Sequence, residues 1–419
     1  MQLLTLCLKS LLNRRATAGL TVFAIAVSVA LLLGVEKVRT EAKTSFANTI
    51  SDTDLIVGAR SGAIPLLLYS VFRIGNATNN ISWQSYRELA ARPDIAWTIP
   101  LSLGDSHHGF RVLGTNGDYF AHYRYGPKRP LAFVAGGPFA DLFDAVLGAD
   151  VAASLGYRLG DRIVIEHGLG QEGFTRHEDK PFRVAGILAK TGTPVDRTVH
   201  VSLEAIEAIH VDWRGGSRVP GLNVSAEEVR RRDLRPQVIT AFLVGLRSRI
   251  AAFAVQRAVN EYKAEPLLAI LPGVALQELW GLMGTAESAL ATISIFVVAT
   301  GLLGMLTMVL ASLNERRREM AILRALGARP WYVFALFVAE ATILTVLGTV
   351  LGLALLYAAL AVAQPVMDSR FGIYIAISLP TLRDVVVLGL VIVAGFVAGT
   401  IPAYRAYRQS LADGMMVRT

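Results

Sequence analysis

Four stretches of this chain are apolar for about 20 residues or more, the length a helix needs to cross a bilayer. They are 16–35, 285–313, 332–363 and 385–403; the third exceeds the need and is expected to tilt or project from the membrane. Between the first two, residues 36–284 break into short apolar runs bounded by Gly, Asp or Pro. Asp54–Val57, Arg111–Leu113, Arg162–Ile165 and Phe182–Leu188 read as strands, with helix-like pieces at Trp83–Ala91 and Leu203–Ile209. The expected fold is therefore an α-helical membrane protein with four transmembrane helices and a large α+β extracytoplasmic domain between helices 1 and 2. At about 250 residues, that domain has room for two subdomains. Glu36–Lys43 predicts a helical extension of the first span, and a further helix from about Leu276 leads into the second. Leu3, Leu4, Cys7, Leu8, Leu11 and Leu12 recur at helical spacing, so residues 1–15 are expected to form an amphipathic helix on the membrane surface.

Charge sets the orientation. Lys9, Arg14 and Arg15 precede the first span, a cluster from Arg316 to Arg329 joins the second to the third, and Arg405 and Arg408 follow the fourth. With four spans all three groups share one side, which an excess of Lys and Arg marks as cytoplasmic. Both termini, including the tail 404–419, are then inside, while 36–284 and the loop 364–384 lie outside. The content of 53% hydrophobic and 18% charged residues agrees, since soluble domains average roughly 45–50% apolar. The net charge of +8 sits mainly beside the spans, which argues against nucleic acid as a partner. Cys7, the one cysteine, excludes a disulfide framework and a cysteine-built metal site. No convincing cleavage site follows Gly34-Val35, so the first span is expected to stay uncleaved.

Within the spans, Ala26, Ala30 and Gly34 repeat every four residues, as do Gly348 and Gly352, and Gly395 and Gly399. Such small residues let helices approach closely, within one chain or between subunits. Glu340 is acidic inside the third span; it reads either as a snorkelling or Arg-paired group or as a latch or proton site. Outside the membrane the run Ile64–Phe72 is unusually apolar. It forms either a buried helix or an apolar ligand surface through Leu66, Leu67, Leu68, Tyr69 and Phe72.

Catalytic patterns are scarce. Ala185–Thr191 is the nearest approach to a phosphate loop, but Ala189 stands where the second glycine must bring backbone N–H groups to phosphate. No ATP site is expected in these residues, and no catalytic or cofactor residues. His107 and His108 would point to opposite faces of a strand, and His167 and His177 lack a paired metal spacing, so no metal site is expected either. Asp141, Asp144 and Asp150 read as capping or solvated charges.

The most informative segment is 314–331, between the second and third spans. Its sequence Glu315-Arg316-Arg317-Arg318-Glu319-Met320-Ala321-Ile322-Leu323-Arg324-Ala325-Leu326-Gly327-Ala328 resembles the motif of FtsX-like permeases, the membrane subunits of the MacB and lipoprotein-release class of ABC transporters. Ser10–Arg15 before the first span and Pro402–Arg408 after the fourth fit the same family. Gly148–Ala152, Leu155–Asp161 and Thr191–Asp196 look like its MacB-type periplasmic core. The resemblance implies a dimer with a second permease copy or paralogue in the bacterial inner membrane. It also implies a dimeric cytoplasmic ABC ATPase that binds ATP and Mg and grips 314–331 as a coupling helix. Glu315, Arg316, Arg317, Glu319 and Arg324 would face the ATPase, Met320, Leu323 and Leu326 would fill a groove or rest on membrane lipid, and Gly327 would stop the helix. Unlike MacB, this sequence carries no fused ATPase, so a separate subunit is expected. The implied work is export or extraction of a lipoprotein, amphipathic molecule or peptide, with a periplasmic adaptor among the expected partners. The alternative is a signalling scaffold that activates an extracytoplasmic cell-wall hydrolase.

Overall fold

A computed structural model describes residues 2–168, 177–214, 217–219, 224–315, 320, 322, 325, 327–371 and 379–408. Four of its helices are long and apolar enough to cross a membrane, within Arg15–Thr49, Pro272–Glu315, Pro330–Phe371 and Leu382–Arg408. The chain divides into two compact units: residues 1–41, 284–366 and 375–419, and residues 42–283 with 367–374.

The first unit is helical and held by close backbone approach. A Cβ at Gly348 would lie 2.6 Å from Ile25 Cγ2, and one at Gly352 would lie 2.7 Å from Ala26 O. Only glycine lets the third span come this near the first. Gly395 and Gly399 seat the fourth span on Thr345 and Ala341 of the third in the same way. Gly34 faces Leu356, and Ala26 is fully buried. Each of these contacts lies within one chain. Ser28 Oγ donates to Val297 O at 3.2 Å and ties the first span to the second. The helix Gln2–Asn13 packs on the third span through buried Cys7, whose Sγ lies 3.7 Å from Leu336 O. Glu340, 4% exposed, accepts from Ser10 Oγ at 3.1 Å and so sits at that seam.

The second unit is built on an 11-stranded sheet. From one edge its main path runs Leu267–Ile270, Leu55–Ala59, Ala241–Leu246, Ile95–His107, Phe110–Thr115, Thr198–Ser202, Asp144–Leu147, Phe182–Leu188 and Phe133–Gly136. The strand Ile95–His107 belongs to both halves. Ile95 to Leu101 pair with Leu246 to Ala241, and from Ser102 to His107 the partner becomes Gly114 to Phe110. Two pairings are parallel, Phe110–Thr115 with Thr198–Ser202 and Asp144–Leu147 with Phe182–Leu188, and they give the second half its mixed character.

Side chains alternate between the sheet's two faces. Ile56, Ile99, Leu101, Leu113, Val146, Leu188 and Leu243 enter one large cluster with the helix Ala63–Ser70. On the opposite face, Leu55, Val57, Phe242 and Val244 pack beneath Trp83–Ala90 and Ala252–Asn260. Val112, Ala145, Val184 and Val199 pack with residues of Ala149–Leu155 and Leu203–His210. Burying one such aliphatic side chain contributes about 1.5–3 kcal/mol, so the two covered faces account for the domain's cohesion. Short β-rich runs and the two expected helices are present, and Ala241–Leu246 is a strand beyond those expected.

Candidate functional site

Leu66, Leu67 and Tyr69 are 0%, 0% and 2% exposed, and Phe72 is 6% exposed. This overturns the reading of Ile64–Phe72 as an open apolar ligand surface. The run is core because its helix covers the sheet, with Leu68 packed against the same cluster. Phe72 alone of the five borders a cavity of about 270 Å³ in this unit, together with Phe46, Arg73, Phe110, Arg111 and Arg197. Arg111 donates to Asn76 Oδ1 and Gly75 O, each at 2.8 Å, and Arg197 stacks 5.1 Å from the Phe110 ring centre. Cationic guanidinium groups beside aromatic rings suit a ligand that is both anionic and apolar.

The helix Arg15–Thr49 brings Ser45, Phe46 and Thr49 to this cavity. Phe46, near the end of Arg15–Thr49, lies 4.4 Å from Phe72 and 5.6 Å from Trp280, measured between ring centres. Trp280 stands near the start of Pro272–Glu315, with Lys43 Nζ 5.4 Å over its ring. The segments Glu36–Lys43 and Leu276 onward are thus helical parts of the same two long helices that carry the first two spans.

The segment Thr191–Asp196 has a structural centre. Asp196, 1% exposed, accepts from Thr191 N at 2.8 Å, Thr191 Oγ1 at 2.8 Å and Gly192 N at 2.6 Å. Burial raises its pKa above the usual carboxylate value, against the lowering effect of those bonds. A Cβ at Gly148 would lie 2.2 Å from Val195 O, which explains a glycine before Ala149–Leu155. Asp144 is also buried, with Arg183 at 2.8 Å, while Asp141 pairs with Arg230 at 2.7 Å and Asp150 with Lys190 at 3.2 Å. Asp144 is therefore a buried ion-pair partner rather than a solvated charge.

Of the expected coupling residues, Arg316, Arg317, Glu319, Leu323, Arg324 and Leu326 lie outside the described residues. Glu315 ends the helix of the second span, and Met320 is helical and 7% exposed. Gly327 has φ of +93°, the left-handed region that glycine enters without a Cβ clash, and Pro330 opens the next helix.

The histidines depart from their spacing. His107 is buried, with Nδ1 2.6 Å from Val164 O and Nε2 3.0 Å from the Tyr157 hydroxyl. His108 has φ of +47° and belongs to the following turn, so the two are not successive strand positions. His167 and His177 converge with His210 and Asp105, neither of which spacing singled out. The register of Glu166–His167 on Ile95–His107 sets His167 opposite Asp105. The helix Leu203–His210 delivers His210 at its last residue. Burial raises the pKa of Asp105, but the stronger combined effect of His167 and His210 brings it down to about 2. Burial lowers that of His177 to about 4.

Comparison with known proteins places this architecture. Residues 18–262 match the MacB-like periplasmic core domain, and residues 291–411 match the FtsX-like permease C-terminal family. The chain belongs to the FtsX-like permeases of the MacB class of ABC transporters. It is 27% identical over 297 residues to the macrolide export ATP-binding/permease protein MacB of Nitrobacter winogradskyi, covering 67% of this chain and 39% of that protein. It is 25% identical over 236 residues to the MacB of Azoarcus sp., covering 54% of this chain and 32% of that one. Among solved structures, the periplasmic region of MacB from Actinobacillus actinomycetemcomitans matches with a TM-score of 0.33 and 11% identity, covering 55% of this chain and 94% of that one. The extracellular domain of the transporter YknZ from Gram-positive bacteria matches with 0.31 and 13%, covering 52% and 99%.

Proposed function

We propose that this permease converts ATP hydrolysis by a separate cytoplasmic ATPase dimer into motion of its outer domain, and that the motion exports or extracts an amphipathic molecule, lipoprotein or peptide. The carrying observation is helix continuity. Arg15–Thr49 and Pro272–Glu315 each join an apolar span to residues of the outer domain, where Phe46 and Trp280 meet. A helix transmits displacement along its axis because every turn is hydrogen-bonded to the next. Residues 314–331 would take up the ATPase, with the termini on the same cytoplasmic side. The permease would act as a dimer. Arg73, Arg111 and Arg197 beside Phe46, Phe72 and Phe110 support an amphipathic cargo with an anionic head.

The test is the full chain, copurified with its ATPase and reconstituted in native lipid. Glu319→Arg and Leu326→Asp are each expected to insert normally but to lose most of the permease-dependent stimulation of ATP hydrolysis. A spin label in the outer domain should then stop responding to ATP. Unchanged ATPase association and coupling in both variants would falsify the reading. Recovery of a cell-wall hydrolase instead of cargo would move it to signalling.

A further inference from the structure

In the outer domain, four side chains from separated parts of the chain aim their donor atoms at one point. Asp105 Oδ1 lies 3.1 Å from His167 Nδ1, His167 Nδ1 lies 3.0 Å from His210 Nε2, and His210 Nε2 lies 3.5 Å from Asp105 Oδ1. One donor atom from each of these three and from His177 falls within 4.8 Å of the others.

With its histidines neutral, this arrangement has fewer protons than acceptors to share them. His210 Nδ1 lies 2.8 Å from Ile206 O, which can only accept, so that nitrogen carries a proton and in the neutral ring Nε2 keeps its lone pair. The triangle then holds an acceptor on His210, an acceptor on Asp105 and one proton on His167 to share between them. His177 is 0% exposed, and neither of its ring nitrogens has a hydrogen-bond partner among the described residues. A buried imidazole usually finds a partner, because leaving it unpaired costs about 1–3 kcal/mol in principle. An ion at the centre would take a lone pair from each of the four groups and give His177 the partner it lacks among the described residues.

We propose that Asp105, His167, His177 and His210 form a binding site for a divalent transition-metal ion of the zinc class. Three imidazoles and one carboxylate are a borderline nitrogen and oxygen set, which favours zinc over calcium or magnesium. Bonds of about 2.0–2.1 Å to a tetrahedral ion set neighbouring donors about 3.3 Å apart. Three of the four donors already stand at 3.0, 3.1 and 3.5 Å from one another. The Ile206 carbonyl is the outer partner that fixes the tautomer of a ligating histidine. His167, 37% exposed at its side chain, gives the ion a route in from solvent. Trp213 closes one side, its ring centre 4.5 Å from His177 and 5.7 Å from His167. The ion would join the end of a central strand, a short paired strand, a loop and a helix terminus. With Cys7 the sole cysteine, this domain has no disulfide to make such a link.

The experiment uses the full chain, free of any histidine tag, in detergent or nanodiscs after chelator treatment. Titration with Zn²⁺ is expected to load about one ion per chain with submicromolar affinity and to raise Tm by about 5 °C. Co²⁺ is expected to give the intense visible bands of a four-coordinate ion, and Cu²⁺ to quench a part of the tryptophan emission that Trp213→Phe removes. His177→Ala and His210→Ala should each weaken Zn²⁺ binding about 100-fold or more, while His108→Ala leaves it unchanged. The Co²⁺ and Cu²⁺ readings on the unsubstituted chain need no ligand variant to fold. Zn²⁺ binding weaker than about 100 µM, octahedral Co²⁺ spectra, or equal binding by His108→Ala and the two ligand variants would each overturn the proposal.

Discussion

Arg39 Nη1 lies 3.2 Å from Glu287 Oε2, so the helix that carries the first span is ion-paired to the helix that carries the second. Arg39 also holds Glu36 at 2.8 Å on its own helix. The two side chains of the cross-helix pair are 30% and 15% exposed, which places the pair between a solvated contact and a buried one. Arg39→Ala is expected to cost about 0.5–1 kcal/mol, and Arg39→Glu more, because it sets like charges together. The exchange Arg39→Glu with Glu287→Arg should recover part of the loss. A double-mutant cycle on the full chain by thermal unfolding in detergent measures it, and strict additivity would deny the coupling.

Helix seams in the membrane unit depend on space as well as charge. Gly348→Leu must displace Ile25, whose Cγ2 already lies 2.6 Å from an added Cβ, whereas Gly304 has no atom within 4 Å of its own. Gly348→Leu is expected to destabilise by about 1–3 kcal/mol and Gly304→Leu by less than about 0.5 kcal/mol. Protease resistance and thermal midpoints of the two variants provide the comparison. Equal behaviour would mean that the first and third spans do not rely on this contact.

His200 makes the outer domain acid-sensitive. It is fully buried, with Nδ1 3.2 Å from Val146 O, and burial, followed by the charge of Arg73, lowers its pKa to about 3. In the unfolded chain it takes up a proton near pH 6.5, so between that value and about 3 the unfolded state binds more protons than the folded one. Its contribution is complete above pH 6.5 and declines as pH falls toward 3. At pH 4.5 the loss is roughly 2–3 kcal/mol, on a scale of about 1.4 kcal/mol per pH unit. Denaturant midpoints from pH 7.5 to 4.5 should fall less steeply in His200→Phe than in the native chain.

Lys180 tests a buried charge. Its ammonium is 0% exposed, lies 3.0 Å from Asp212 Oδ1, itself 0% exposed, and reaches Asp179 at 2.7 Å. Lys180→Ala leaves a carboxylate in the interior without that counter-charge and should cost about 3–5 kcal/mol. Joint replacement by Lys180→Met and Asp212→Leu should cost far less, since both desolvated charges then disappear. Chemical denaturation ranks the two, and an equal loss would place the effect in packing instead of charge.

The spans were legible because an uninterrupted apolar run of this length has few other uses, and the small-residue ridges were legible because their spacing of four is itself the signal. The partner of each ridge was not. Leu55–Ala59 hides its place in the sheet because all five residues are buried, so no polar alternation marks its two faces. The long strand Ile95–His107 passes unmarked for the same reason: Thr98 to Leu101 and Asp105 to His107 are buried at successive positions. Ile64–Phe72 was visible as apolar, but only the sheet beneath it decides that the run is core. The histidine cluster had no sequence spacing to betray it. Its members are gathered by a strand register and a helix end, and the one local hint was Trp213 three residues after His210.

Leu55–Ala59 pairs on one side with Ala241–Leu246 and on the other with Leu267–Ile270. Both partners are synthesised roughly two hundred residues later. At about 5–20 residues per second, this strand waits on the order of ten seconds or more with both edges open, while the chain that must flank it is still being made. Closing so long a loop is slow, and an open apolar edge invites pairing with the wrong neighbour. The helix Arg15–Thr49, which precedes the waiting strand in the chain, is synthesised before it. Biogenesis of this permease thus contains an interval in which a holding chaperone outside the membrane has most to protect.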